Sequence, residues 1–76
     1  MILTRYFQEQ VLTRRPYLRI EWCEQIIANP VKREIQPDGR IRCWGQVPEY
    51  GGRFFRVVLE PDGSLLNAFP DRNFKL

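Results

Sequence analysis

The sequence predicts an α+β fold in which two N-terminal helices pack on one face of a four-stranded antiparallel meander sheet, in the order ααββββ. Three observations support this prediction. Apolar residues recur with helical spacing before residue 30. They alternate with polar residues after it. Pro-Asp-Gly turns at 37–39 and 61–63 and a glycine-rich loop at 48–52 divide that second part into short strands. We expect one domain over residues 1–76, because the chain is too short for two.

The first helix is predicted from apolar residues four positions apart, which fall on one helical face: Leu3, Phe7 and Val11. Thr4 is a suitable N-cap for it. Pro16 ends it, because proline disfavours helical backbone in the residue before it. The second helix is predicted over about Arg19–Ala28, where an apolar stripe again has helical spacing, and Pro30 follows as a stop. The stripe consists of Ile20, Cys23 and Ile27, with Trp22 and Ile26 beside it.

Four strands are predicted between the turns: Val31–Gln36, Arg40–Val47, Arg53–Glu60 and Ser64–Phe69. Short turns make successive strands antiparallel neighbours. Alternation in the second strand places Arg40, Arg42 and Trp44 on one face and its apolar residues on the other. Since the helices cover only the apolar face, the opposite face stays partly open. Residues 70–76 form a short tail with Phe74 as its anchor.

The basic residues are concentrated in the central hairpin. The chain carries a net charge of +3 and ten of its twelve basic residues are arginine. The segment 40–56 holds four arginines and one acidic residue, so the whole excess lies there. We expect Arg42 and Arg56 to point at solvent. Arginines that hold phosphates, together with exposed rings of Trp44 and Tyr50 that stack on bases, are typical of a surface for single-stranded RNA.

Two other interpretations of this pattern stay open. The arginine content can reflect a GC-rich genome. The hairpin can also be an ordinary solvated one, in which Trp44 plugs the sheet edge. In the fourth strand, Asn67 either faces the open side or holds the tail by hydrogen bonds, because a buried amide without partners is costly. Asp71 and Arg72 can form a local ion pair of under about 1 kcal/mol.

Several classes of protein are excluded by what the sequence lacks. It has no histidine, which excludes Ser-His-Asp and Cys-His nucleophilic systems. Two cysteines cannot form a structural zinc site, and no glycine-rich phosphate loop occurs. We therefore expect neither a metal nor a small-molecule cofactor. No apolar run is long enough for a membrane span or a signal peptide, so we expect a cytoplasmic protein without membrane contact. A Cys23–Cys43 disulfide is possible in principle, but reduced, buried thiols are favoured.

Four segments together resemble a family of small bacterial proteins that is common in cyanobacteria: Phe7–Pro30, Gln36–Gly45, Arg56–Gly63 and Asn67–Lys75. The order of elements is similar to the barnase–EndoU–colicin–RelE-like (BECR) nuclease superfamily. That superfamily includes toxins of toxin–antitoxin pairs that cut RNA without metal. Related sequences often carry a histidine near the position of Tyr6, and toxin relatives tend to carry Thr, Tyr or His at that of Asn67.

The resemblance implies a toxin-like, metal-independent endoribonuclease that acts on RNA, including mRNA on the ribosome, and that pairs with a small antitoxin protein. Arg42 and Arg56 would then stabilise the phosphorane. Tyr6, Glu34 or Asp71 would act as base. The leaving group would be assisted by Arg72 or Lys75.

Two alternatives remain beside the endoribonuclease. One is a non-catalytic RNA- or protein-binding module that retains the fold. The residues expected to contact RNA are Arg40, Trp44, Tyr50, Arg53, Asn67 and Lys75. The other is an unrelated α+β protein whose surface is simply charged.

Overall fold

The computed structural model describes all 76 residues and confirms the α+β class and the order ααββββ. The first helix, α1, contains a π-helical segment, Phe7–Val11, that continues as Leu12–Arg14, and α2 is Ile20–Ala28. The strands are β1 (Lys32–Ile35), β2 (Ile41–Val47), β3 (Arg53–Leu59) and β4 (Leu65–Pro70). They form one antiparallel sheet in the order β1-β2-β3-β4. A 3₁₀ turn, Pro48–Tyr50, connects β2 to β3.

The predicted cap of α1 is confirmed. The Oγ1 of Thr4 accepts a hydrogen bond of 3.0 Å from the backbone N–H of Phe7, which satisfies one free donor of the first turn. Phe7 and Val11 are fully buried as expected. Leu3, which the spacing assigned to the helical face, lies before the helix instead, in an isolated parallel bridge to Leu65. Backbone hydrogen bonds to the edge of β4 hold that segment extended.

The buried face of α2 is turned slightly from the predicted stripe. Trp22, Cys23 and Ile26 are buried, whereas Ile20 and Ile27 are only half-buried. The close contact is between Ile26 and Gly45 of β2, where a Cβ on the glycine would lie 2.9 Å from Cγ1 of Ile26. Because no side chain occupies position 45, α2 lies directly on the sheet at that point.

Both predicted Pro-Asp-Gly turns occur. Gly39 and Gly63 have φ of 87° and 90°, which only glycine adopts without strain. Asp38 accepts the backbone N–H of Arg40 at 2.9 Å. Asp62 accepts the backbone N–H and the hydroxyl of Ser64, and these hydrogen bonds lower the pKa of its carboxyl group. Two short connections therefore hold the strands in an antiparallel meander.

The core lies between the helices and one face of the sheet, where α2 contacts β2 and β3 and α1 contacts β4. Its members are Phe7, Val11, Leu18, Trp22, Cys23, Ile26, Cys43, Val47, Phe55, Val57, Leu59, Leu65 and Ala68. Both cysteines are free and buried. Burial raises the pKa of the Cys23 thiol to about 12, and burial also raises the pKa of Cys43. Neither thiol is therefore a nucleophile at neutral pH.

Candidate nucleic-acid interface

The sheet face opposite the helices, here called the open face, carries the residues that the alternation predicted. In the register, Arg42 pairs with Val58, Trp44 with Arg56, and Asn67 with Val58 from the other side. Directly opposed residues of antiparallel strands project to the same face. Arg42, Trp44, Arg56 and Asn67 therefore share the open face, as expected. Glu34 joins them from β1, where it is paired with Arg42.

A buried carboxylate, Asp71, connects two of these residues. Its Oδ2 accepts hydrogen bonds from Nε1 of Trp44 at 2.9 Å and from Nε and Nη2 of Arg56 at 3.1 and 2.9 Å. Its Oδ1 accepts the backbone N–H of Asn73 at 3.2 Å. The side chain of Asp71 is only 6% exposed and that of Arg56 27%. The expectation that Arg56 points at solvent is wrong, because the carboxylate holds it against the sheet.

The same network determines the ionisation of Asp71. Burial of the carboxyl group raises its pKa, but the hydrogen bonds from Trp44 and Arg56 and the positive charge of Arg56 outweigh burial and lower it. Asp71 is thus a fully ionised carboxylate at neutral pH. Its partner is Arg56, not Arg72, so the expected local pair between residues 71 and 72 does not form. A carboxylate with a lowered pKa and occupied oxygens is a weak general base.

The C-terminal tail covers the aromatic part of the open face. The ring of Phe74 stacks on Trp44 with centroids 5.2 Å apart and contacts Phe54 at 5.1 Å. The expectation that Phe74 anchors the tail is therefore confirmed. Trp44 is 5% exposed as a result. The sequence predicts an exposed ring that stacks on a base, and the structure does not present one.

Cations lie on the aromatic rings of this face. The guanidinium of Arg56 lies 5.6 Å from the Trp44 ring and 5.0 Å from the Phe69 ring. Arg15, at the end of α1, also lies 5.7 Å from Phe69, and Lys32 lies 5.6 Å from Trp44. Such contacts stabilise each pair by about 0.5–2 kcal/mol.

Carboxylates from outside the hairpin neutralise most of its positive charge. Arg40 bonds to Glu60 at 2.8 Å and lies 4.0 Å from Asp38. Arg42 lies 3.9 Å from Glu34. With its amide oxygen turned toward that arginine, Gln36 also accepts two of its N–H groups at 2.7 and 3.2 Å. The concentrated charge of the sequence is therefore not a free basic surface.

Arg53 is the hairpin arginine without a carboxylate partner. Its guanidinium lies 5.9 Å from the ring of Tyr50. Tyr50 itself packs toward the helices, stacked on Tyr17 at 4.7 Å and edge-on to Phe55 at 5.4 Å. Tyr50 lies in the loop between β2 and β3, as expected, but the 3₁₀ turn directs its ring toward the helical side of the molecule, where it is packed rather than presented to a base.

A groove of about 580 Å³ lies between the start of β3 and the tail, and we call it the β3–tail groove. Its lining residues are Arg53, Phe54, Pro70, Asp71, Arg72 and Phe74. Arg53 and Arg72 have no carboxylate within 4.0 Å, while Asp71 is already neutralised by Arg56. Lys75 is exposed next to Phe74. Two arginines without a carboxylate partner and two phenylalanines are thus among the residues that line one groove.

Phe54, which lines the groove, was not among the residues that the sequence predicts to contact RNA. The signal was present in the alternation of β3, since Phe55 is buried on the core side and Phe54 must then face the other way. The part played by Phe74 in the groove was not visible in the sequence, because it depends on the path of the tail.

The remaining predicted catalytic residues lie elsewhere. Tyr6 is 45% exposed and lines a separate cavity of about 330 Å³ with Arg40, Leu66 and Asn67. The Oδ1 of Asn67 accepts the backbone N–H of Ala68 at 2.9 Å, so its amide does not clamp the tail. Tyr6 and the pair of Asp71 and Arg72 thus occupy different cavities. No single cavity assembles a base, an acid and the phosphate-binding arginines.

No group of three or more potential metal ligands occurs in the structure, and neither helix is long and apolar enough to cross a membrane. Comparisons of the chain with family models, with curated proteins and with solved structures found no match. A function for this chain therefore has to rest on the geometry and chemistry of its own residues.

Proposed function

We propose that this protein is a non-catalytic RNA-binding module that holds a short single-stranded segment in the β3–tail groove. The observation that carries the proposal is that two arginines without a carboxylate partner, Arg53 and Arg72, line the same groove as Phe54 and Phe74. Arginine binds phosphate with two parallel hydrogen bonds, and exposed aromatic rings stack on unpaired bases.

The charge balance of the groove favours an anionic ligand. Its only acidic residue, Asp71, already accepts three hydrogen bonds from Arg56 and Trp44 at its Oδ2. A phosphate between Arg53 and Arg72 therefore meets two uncompensated positive charges. The volume of about 580 Å³ lies within the range of pockets that take small ligands, which is enough for a nucleotide unit.

Binding is tested by fluorescence anisotropy with a labelled single-stranded oligouridine over a range of salt concentrations. Counterion release lowers log K linearly with log salt, with a slope of about 0.7 per phosphate contact on single strands. We expect Arg53→Ala and Arg72→Ala each to reduce that slope by about 0.7. We expect Phe54→Ala to weaken the binding free energy by about 1–3 kcal/mol without changing the salt slope.

Arg14→Ala and Arg19→Ala are the matched controls. Both arginines are exposed on the helical side and have no carboxylate partner within 4.0 Å. If binding depends on net charge alone, the controls will weaken it as much as the groove variants do, and the proposal is then wrong. An absence of RNA binding at low salt also contradicts it.

The toxin-like endoribonuclease that the BECR resemblance implies is the second proposal. The cavity that brings Tyr6, Arg40 and Asn67 together is the observation that favours it. On this proposal Tyr6 is the base, and Arg40, which lines the same cavity, contacts the RNA. Induced expression should arrest bacterial growth, and Tyr6→Phe should relieve the arrest while leaving the fold intact. Normal growth on full induction contradicts this activity and leaves the binding proposal untouched.

A further inference from the structure

The two edges of the sheet differ in how they are covered. At the β4 edge, Leu65 donates to the carbonyl of Ile2 at 2.9 Å and accepts from the N–H of Thr4 at 3.0 Å. The N-terminal segment therefore satisfies that edge at Leu65. At the other edge, β1 pairs only with β2. Val31 and Ile35, which flank and end β1, are 49% and 66% exposed.

The free backbone groups of β1 belong to alternate residues. Gln36 pairs with Arg40 through a hydrogen bond of 2.8 Å from its N–H. In an antiparallel ladder the groups of every second residue point toward the same neighbour. Those of Glu34 therefore point to β2, and those of Arg33 and Ile35 point away from the sheet. Unpaired donors and acceptors in a row are a template for another strand.

We propose that a second copy of this chain binds here, with the two β1 strands antiparallel about a twofold axis at Arg33. In this register Lys32 lies opposite Glu34 of the second copy, and the reverse pair forms as well. Val31 lies opposite Ile35 in the same way, but its N–H already donates to the carbonyl of Trp44 at 2.8 Å and is not available to the second copy. The segment is thus complementary to itself in both charge and apolar character. The two sheets then form one sheet of eight strands.

The two neighbouring registers lack this complementarity. An axis at Glu34 places the two copies of that carboxylate opposite each other and pairs Arg33 with Ile35. An axis at Lys32 opposes two ammonium groups and pairs Arg33 with Val31. Like charges directly opposite each other destabilise a strand pair. In the proposed register the only like pair is the one between the two copies of Arg33.

The helices leave room for this arrangement. The main contacts of α2 are with β2 and β3. In the paired sheet the two α2 helices are separated by about four inter-strand spacings, roughly 19 Å. A helix with its side chains is about 10–12 Å across, so the copies do not collide. An interface of one ladder over residues 31–35 is small, so we expect a weak, exchanging dimer.

Sedimentation velocity from about 10 µM to about 1 mM measures this dimer. We expect Lys32→Glu and Glu34→Lys each to raise its dissociation constant about tenfold, because two attractive cross-strand pairs become repulsive. We expect an equimolar mixture of the two variants to restore association as a heterodimer. The double variant, which exchanges both charges, should form a homodimer like the unmodified chain.

Arg33→Thr provides a test in the opposite direction. It removes the one like-charge pair and introduces a β-branched pair, so we expect tighter association. Circular dichroism of each variant checks that the fold is retained. A monomer over the whole concentration range overturns the proposal. A dimer whose dissociation constant is unchanged by these substitutions also overturns it. So does an equimolar mixture of Lys32→Glu and Glu34→Lys that associates no more tightly than either variant alone.

Discussion

Asp71 is the residue that organises the open face. Its carboxylate joins Trp44 of β2, Arg56 of β3 and the backbone of the tail in one hydrogen-bonded group. Arg56 is therefore a structural residue in this conformation as well as a member of the basic hairpin. The free arginines of the β3–tail groove, Arg53 and Arg72, lie beside this group rather than in it.

Replacing Asp71 with Asn tests its structural role. The amide keeps the shape of the side chain but removes the negative charge that Arg56 and Trp44 bind. Hydrogen bonds to charged groups are each worth about 1.5–3 kcal/mol, and part of this is retained by the amide oxygen. We expect Asp71→Asn to lower the free energy of unfolding by about 1–3 kcal/mol in urea denaturation. Glu49→Gln, at an exposed residue without a salt bridge, should change it by less than about 0.5 kcal/mol. Equal effects of the two substitutions would contradict this role.

The same carboxylate predicts how stability depends on pH. The pKa of Asp71 is lowered in the folded protein, whereas its unfolded value is about 3.9. The stabilisation is therefore fully present above pH about 4 and is lost as the pH falls through the lower folded pKa. We expect Tm to fall on acidification below pH about 4, and to fall less in Asp71→Asn. Asp62 also has a lowered pKa, but its charge is screened by solvent. Asp62→Asn should therefore change the fall of Tm at acid pH less than Asp71→Asn does. An identical fall of Tm at acid pH in wild type and Asp71→Asn would contradict a stabilising role for the ionised Asp71.

At the scale of the elements, the β2–β3 hairpin behaves as its alternation predicts. Arg42, Trp44 and Arg56 share one face, and Phe55 and Val57 share the other. Arg53 is the exception. By alternation it belongs to the core-facing side of β3, but as the first residue of the strand it lies beyond the edge of the core. Its position at the strand end leaves it exposed and without a carboxylate partner, and it lines the β3–tail groove.

Two neighbouring phenylalanines of β3 provide a matched pair of substitutions. Phe55 is 1% exposed and contacts Trp22 and Tyr50, so Phe55→Ala should cost about 3–5 kcal/mol and leave much of this small protein unfolded. Phe54 lies on the other face and is only half-buried. Phe54→Ala should therefore cost clearly less stability while it weakens RNA binding. Thermal denaturation and anisotropy distinguish the two, and a larger loss of stability in Phe54→Ala would reverse the assignment of faces.

At the scale of the whole molecule, the core consists of a single small cluster. Thirteen buried residues form it, and both free cysteines belong to it. A domain of this size buries a smaller share of its surface than larger domains do, so its stability is modest. The aromatic contacts of Trp22, Tyr50 and Phe55 on one side and of Trp44 and Phe74 on the other supplement that core.

The thiols report on the unfolding of the whole molecule. Cys23 and Cys43 are 1% exposed, and burial raises the pKa of both. We expect neither to react with a thiol reagent at neutral pH in the folded protein, and both to react at the rate of global unfolding. Destabilising variants such as Phe55→Ala should then react faster. Rapid labelling of the stable wild-type protein would contradict the burial of these side chains.

The sequence by itself determined the features that depend on local interactions. The cap at Thr4, the turns at Gly39 and Gly63 and the alternation in β2 depend on residues a few positions apart. The order of short strands then determined their antiparallel pairing. From these features the composition of the open face was predictable, including Trp44 and Arg56.

Only the tertiary structure decided which of those side chains are free. Asp71 bonds to Arg56, which is 15 positions away in the sequence, and to Trp44, which is 27 positions away. Arg40 likewise meets Glu60 from 20 positions away. Such pairings depend on the path of the tail and on strand register, and a list of charges along the chain does not contain them. For this reason the sequence located the basic hairpin, and only the folded structure shows that Arg53 is its one arginine without a carboxylate partner.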